Sequence, residues 1–265
     1  MQLWTPSDAA DHIAVPALSD DKYSRGVLGV ITGSDQYPGA AVLGVEAALH
    51  TGVGMVRYLG PARATDLVLA RRPEAVAGPG RVQAWLVGSG TSSSSAAGHD
   101  AASSGLPLIL DAGALALLPL ATGPTVLTPH YRELSRLLSV DVSSIADDPA
   151  HWAAVASSQL GATVLLKGHT TWVAGGGELL HVRSAPTWTA TAGAGDSLGG
   201  ILGALVATHS LSIASDPTLL ARLAATASLL HGLAAARAGA GGPFTILGLC
   251  AAVPAVIADL LSTDE

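Results

Sequence analysis

The sequence predicts a layered α/β protein, with a mainly parallel central sheet and helices on both faces. Three observations carry this. Short apolar runs alternate with longer Ala/Leu-rich segments six times before a closing hairpin, the order that parallel strands and crossover helices require. Hydrophobic residues make up 49% of the chain but aromatics only 4%, so the core is built from Ala, Val, Leu and Ile. There are also 31 glycines, enough for many tight turns.

The elements follow in order. Val27–Thr32 is an unbroken apolar run, the pattern of a strand covered on both faces, and Ala40–Thr51 is the helix after it. Met55–Leu59 and Ala62–Leu69 repeat the pair. Ala84–Val87 is the next strand, and the Ser-rich run Thr91–Ser95 behind it reads as a loop. Strand Leu108–Asp111 leads to a short helix, Gly113–Leu117, and strand Thr125–Leu127 to helices Tyr131–Leu138 and Pro149–Leu160. Thr163–Leu166 is followed by Thr171–Ala174 and Glu178–Val182, which Gly175-Gly176-Gly177 joins as a hairpin. The last helices, Asp196–Thr208, Thr218–Ala238 and Gly248–Leu261, are apolar nearly all round, which implies burial or subunit contact.

A chain of 265 residues fits one large α/β domain or two small ones; no linker, repeat or charge block divides it, so residues 1–265 read as one domain. Charged residues are only 12% and the hydrophobic share is high, which excludes disorder. A net charge of −7 with 13 Lys plus Arg speaks against nucleic acid and anionic membranes as partners. One cysteine, Cys250, forms no internal disulfide and suits a reducing compartment. Residues 1–8 lack the basic-then-apolar pattern of a signal peptide. Ala238–Ala258 is uncharged for long enough to span a bilayer, but Pro243, Pro254 and its glycines make it a loop before a buried helix. The expectation is a cytoplasmic protein.

The richest segment for chemistry is Thr191-Ala192-Gly193-Ala194-Gly195-Asp196-Ser197. Small residues opening a helix let several N–H groups point at one anion, and the helix dipole favours negative charge there. Asp196 on the first turn is placed as a general base beside a phosphoryl group, or simply as a helix-start residue; spacing alone leaves both open. Val164–Thr171 ends an apolar strand in Lys167-Gly168-His169-Thr170-Thr171, the lining of a nucleotide site or an ordinary hairpin turn. Leu127-Thr128-Pro129-His130 and Glu133 follow a buried strand, at the carboxyl edge where such sheets bind ligands. Asp111, Gly88-Ser89-Gly90 and Gly33-Ser34-Asp35 share that edge. His50, His209 and His231 show no metal-ligand spacing and read as helix or surface residues.

Taken together, these blocks resemble the ADP-dependent NAD(P)H-hydrate dehydratases, which have a three-layer α/β/α, ribokinase-like fold. The matching blocks are Gly33-Ser34 with Tyr37-Pro38-Gly39-Ala40, Val87-Gly88-Ser89-Gly90 and Leu110-Asp111-Ala112. They continue with Leu127-Thr128-Pro129-His130 plus Glu133, Leu166-Lys167-Gly168 plus Thr171, and Ala190–Asp196. The last block alone marks only the wider kinase superfamily; His130 and the Tyr-Pro-Gly-Ala block point to the dehydratase branch. The resemblance implies a lyase that repairs hydrated NADH or NADPH (the S-epimer), turning ADP into AMP and phosphate. By it, Asp196 is the base and Gly193, Ala194 and Gly195 form the anion hole. Ala40, Gly90, His130 and Asp196 contact the hydrated dinucleotide. Lys167, Gly168, His169, Thr170, Thr171 and Gly195 hold the AMP part of ADP. Mg2+ accompanies the phosphates, with Glu133 as a contact through water.

The chain also departs from the family. Ala185-Pro186-Thr187-Trp188-Thr189 stands where Asn-Pro-Gly is frequent, Ser92 replaces the third glycine of a turn, and His169 and Thr170 occupy positions usually small or variable. Many relatives carry a fused epimerase, for which this chain is too short, so the expected epimerase is a separate protein. A homo-oligomer, with a tetramer in view, is expected from the apolar final helices. The rival reading is an ATP-dependent kinase of the same fold acting on a small alcohol such as a vitamin precursor. A silent nucleotide-binding protein is the reading from another class, which the intact Gly193–Asp196 loop opposes.

Overall fold

The computed structural model describes residues 1–262 apart from 93 and 217, so Ser93 of the Ser-rich run lies outside the described residues. The described strands form one sheet. They are β1 (Gln2–Leu3), β2 (Val27–Ile31), β3 (Met55–Tyr58), β4 (Val76–Ala77), β5 (Ala84–Val87), β6 (Leu108–Leu110), β7 (Thr125–Leu127), β8 (Thr163–Leu166), β9 (Thr171–Gly175) and β10 (Glu178–Val182). Their spatial order is β1-β10-β9-β8-β7-β6-β5-β2-β3-β4. Every neighbouring pair is parallel except those of β9, which runs antiparallel to both β8 and β10. The β9–β10 turn is Gly176-Gly177 at φ +57° and +83°, the positive-φ pair that matches the twist of a two-residue hairpin.

Two apolar layers cover this sheet because side chains alternate along each strand. Leu28 and Val30 of β2, Ile109 of β6 and Leu165 of β8 point into one core. Ile31, Leu108, Leu110, Val164 and Leu166 point into the other. The first core is roofed by α1 (Pro6–Ala10), α2 (Gly39–His50), α3 (Ala62–Arg71), α8 (Ala194–Thr208), α10 (Leu219–Gly239) and α11 (Ile246–Ser262). Under the second lie α4 (Ala96–Ala102), a 3-10 segment at Ala112–Leu120, α5 (Tyr131–Leu138), α6 (Val142–Asp147) and α7 (Pro149–Leu160). A short α9 (Ser210–Ser215) links α8 to α10. The result is a three-layer α/β/α architecture, with the sheet between two helical layers.

The expected elements are present, with ends moved by one or two residues in several. The structure adds β1, β4, α1, α4, α6 and α9, and Gly113–Leu117 is the middle of a longer 3-10 segment. The Ser-rich loop ends in a helix start: the Ser95 hydroxyl accepts from the Gly98 amide and caps α4. The apolar faces of α8, α10 and α11 are taken up inside one chain, each packing on the others and on the sheet or α2. The observation that suggested self-association therefore has an explanation within the chain. By length and composition α10 is apolar enough to cross a membrane, yet most of it is buried in this core.

The same core holds Cys250 of α11, whose thiol burial pushes up to about 12, with the Glu46 charge adding to the shift. Glu46 of α2 is itself buried and is paired with both Arg71 and Arg72.

Candidate active site

Carboxyl ends of the parallel strands bring together residues far apart in sequence. Asp111 follows β6, and its Oδ1 accepts from the Thr128 hydroxyl at 2.7 Å and from Lys167 Nζ at 2.7 Å. Lys167 is set by the strand end, since its amide donates to the Pro129 carbonyl at 2.8 Å. Its Nζ also lies 4.0 Å from Glu133 Oε2. One ammonium thus stands between two carboxylates.

His130 caps α5 with its ring. Nδ1 accepts from the amides of Arg132 (3.1 Å) and Glu133 (3.2 Å), while Glu133 Oε2 accepts from the His130 amide at 2.8 Å. An acceptor Nδ1 assigns the proton of the neutral ring to Nε2, which lies 3.6 Å from Glu133 Oε1. The His130 side chain remains 49% exposed, free to meet a ligand with Nε2–H. Lys167 and His130 pair as a parallel bridge, so the two motifs are locked side by side.

Above them begins α8. Gly193 has φ +89°, a left-handed conformation that favours glycine, and it packs against the Leu43 side chain. The Ala194 amide reaches Thr191 O and that of Ser197 reaches Gly193 O; the Gly195 and Asp196 amides have no backbone partner among the described residues. A Cβ on Gly195 would sit 3.6 Å from Lys167 Nζ and 3.7 Å from Asp111 Oδ2. The start of α8 at Gly195 therefore lies against the Asp111–Lys167 pair. Burial lifts the Asp196 carboxyl to about 6; the Asp111 charge adds to the rise and Lys167 opposes it. A carboxylate titrating there is ionised at neutral pH and still basic enough to take a proton.

A cavity of about 710 Å³ opens beside this group. Lys167, Gly168, His169, Thr171 and Gly195 line it, as do residues of the Ala185–Ala192 strip. Thr170 follows in the same turn but is not part of the wall, and Trp188 of the strip turns outward, 52% exposed. Ala40 is buried on the first turn of α2, and Gly90 borders a second recess beyond Asp111. Of the expected residues, the structure gathers Asp196, Gly193, Ala194, Gly195, Lys167, His130 and Glu133 into one group, with Asp111 at its centre.

His231 is a helix residue, of α10, as the sequence implies, but a buried one that also lines the cavity, with Nε2 3.0 Å from the Ser197 hydroxyl. Ser197 in turn donates to Ala194 O at 2.9 Å. Desolvation drives the His231 imidazole down to about 4, so it is neutral and braces the turn that carries Asp196. A lone histidine in an apolar helix gave no sign of this, because its partner is 34 residues away.

Among the described residues no three His, Cys, Asp or Glu side chains come together to ligate a metal ion. Lys167 already stands between Asp111 and Glu133. The donor set fits an ion carried on phosphate oxygens and water, with a carboxylate as an outer contact, which is how Mg2+ is commonly bound.

Comparison with known proteins decides the family. The sequence model described as NAD(P)H-hydrate dehydratase matches residues 28–244, most of the chain. The chain belongs to this family. A bifunctional NAD(P)H-hydrate repair enzyme of Mycobacterium tuberculosis is 44% identical over 217 residues, covering 76% of this chain and 45% of that protein. An ADP-dependent (S)-NAD(P)H-hydrate dehydratase of Neisseria meningitidis is 36% identical over 210 residues, covering 70% of this chain and 71% of its own length. This dehydratase-family chain therefore spans about half the length of the bifunctional relatives it matches. The crystal structure of an ADP/ATP-dependent NAD(P)H-hydrate dehydratase from Bacillus subtilis, co-crystallised with ATP/Mg2+, superposes with a TM-score of 0.88 at 25% identity, covering 98% of each chain.

Proposed function

We propose that this dehydratase-family protein removes water from the S-epimer of hydrated NADH or NADPH, converting ADP to AMP and phosphate. One observation carries the reading. Asp196, a half-buried carboxyl lifted to about 6, stands on the first turn of α8 next to Gly195, which lies against Lys167 and Asp111 and lines a nucleotide-sized cavity.

Hydroxide is a poor leaving group, and phosphorylation turns it into a good one. Asp196 accepts the proton of the ring hydroxyl as its oxygen attacks the terminal phosphorus of ADP and the bond to AMP breaks. The amides of Gly193 and Gly195 hold the charge on the transferred phosphoryl, with Lys167 beside them, and that of Ala194 joins them by giving up its long contact with Thr191 O (3.4 Å). Phosphate then leaves the ring as the double bond forms, and the ring gives up a proton. Hydrated cofactor and ADP thus become reduced cofactor, AMP and phosphate, the lost water being consumed in cleaving ADP.

Lys167, Gly168, His169, Thr170 and Thr171 are assigned to the AMP portion, and Ala40, Gly90 and His130 to the dinucleotide. Mg2+ would be held by the phosphates with Glu133 reached through water, and would supply charge neutralisation. To the same proposal belong one catalytic domain over 1–265, a cytoplasmic location, a homo-oligomer (tetramer included) and a functional link to an epimerase that supplies the S-hydrate. A monomer mass by light scattering would remove the oligomer.

The test incubates purified protein with hydrated NADH, Mg2+ and either ADP or ATP and follows the return of reduced-nicotinamide absorbance. The expected result is ADP-dependent recovery, lowered at least about a hundredfold in Asp196→Asn. No recovery with either nucleotide overturns the reading and moves the ATP-dependent kinase ahead.

A further inference from the structure

Two hydrogen bonds behind the first turn of α8 run in one direction. Ser197 Oγ donates to the Ala194 carbonyl at 2.9 Å, and His231 Nε2 lies 3.0 Å from the same hydroxyl. The hydroxyl has one proton and uses it on the carbonyl, so the imidazole is the donor, with its proton on Nε2. Burial, which pushes the ring down to about 4, keeps it singly protonated at neutral pH. The ring also reaches the Ala194 carbonyl itself, a contact that opposes the desolvation.

We propose that His231 and Ser197 are positioning residues for phosphoryl transfer: together they fix the Ala194 carbonyl and so aim the Gly195 amide at the transferred phosphoryl. The inference rests on the dehydratase reading and adds to it what keeps the anion hole in register.

The link is the peptide plane. Ala194 C=O and Gly195 N–H belong to one amide, and the described backbone has no cis peptide, so the two groups point in opposite directions. With the carbonyl drawn towards α10, the N–H is turned out of the start of α8, where it has no backbone partner among the described residues. Gly195 itself lies against Lys167 Nζ and Asp111 Oδ2. Glycines at 193 and 195 leave this turn little stiffness of its own, so its direction has to be imposed from outside. His231 does so from a fixed seat: Leu229 and Leu230 beside it are buried, and Gly232 packs on Ser184. The hydroxyl and the imidazole also draw electron density from the carbonyl, which makes the N–H of the same amide a stronger donor. His231 lines the cavity as well, so this clamp stands at the edge of the nucleotide site.

The test uses full-length protein carrying 13C at alanine carbonyls and 15N at glycine, in which only Ala–Gly amides are selected; Gly195→Ala assigns the signal of interest. Inorganic phosphate, added in the presence of AMP, should shift the Gly195 signal of wild-type protein. Ser197→Ala and His231→Leu should weaken this response and lower kcat for hydrate turnover, each about tenfold, while ADP binds within about twofold of wild type. His231→Gln, whose side-chain amide can offer an N–H in place of Nε2–H, should recover most of both losses. Response and kcat within about twofold of wild type in both Ser197→Ala and His231→Leu overturn the proposal. So does a loss that falls equally on ADP affinity and is not relieved in His231→Gln, the mark of a general structural brace. A wild-type Gly195 signal indifferent to phosphate overturns it too. A response that falls in the variants, with no hydrate turned over by wild type, upholds the clamp and overturns the dehydratase chemistry instead.

Discussion

Asp196 carries a charge that its surroundings resist, and two outcomes follow at the scale of that residue. As a base it must be ionised, so kcat/KM should rise with pH through about 6. Removing the like charge with Asp111→Asn should move this acid limb to lower pH, and Lys167→Met, which removes the opposing cation, to higher pH. A limb that stays in place in both variants would show that another group sets it. Stability moves the other way. The unfolded carboxyl loses its proton near 3.8 and the folded one near 6, so across that window stability falls as pH rises, by about 3 kcal/mol in total. Asp196→Asn, which cannot ionise, should therefore melt several degrees above wild type at pH 8 and lose most of that advantage below pH 4. An equal melting temperature at pH 8 would mean that the native carboxylate is well solvated.

At the scale of elements, α8 can lie against α2 only because small residues meet between them. A Cβ on Gly200 would come 2.2 Å from the Gly44 carbonyl oxygen and 2.8 Å from Ala47 Cβ. Gly200→Ala should cost about 1–3 kcal/mol in denaturant unfolding. It should also lower kcat, since the displaced helix carries Asp196; full activity with normal stability would show that the contact gives way freely. The limits of sequence reading lie at the same scale. β5, β7 and β8 were legible because polar residues, glycine or proline bracket short apolar runs. β1 and β4 were not, since two-residue edge strands owe their existence to distant partners, β1 pairing with β10 at Leu180 and His181. α4, α6 and α9 are short, rich in Ser and Ala, and without a marked apolar stripe. In the site, Asp196, Lys167, Asp111, His130 and Glu133 could be picked out because each ends a strand or opens a helix. The His231–Ser197 contact could not, because it joins the sides of two apolar helices.

For the whole molecule, the helical layer formed by α2, α8, α10 and α11 ties the turn that carries Asp196 to α11. Ile246, the first residue of α11, lies against Gly193, and farther along the same helix sits Cys250. This one thiol is a built-in clock. Shut away and held protonated, it is invisible to an alkylating reagent until α11 lifts, so the labelling rate counts openings of the layer. ADP bound to the closed form should slow the clock in proportion to its occupancy. Labelling indifferent to ADP would mean that α11 peels away alone, leaving the Asp196 turn in place; labelling slowed by ADP would mean that they open as one body.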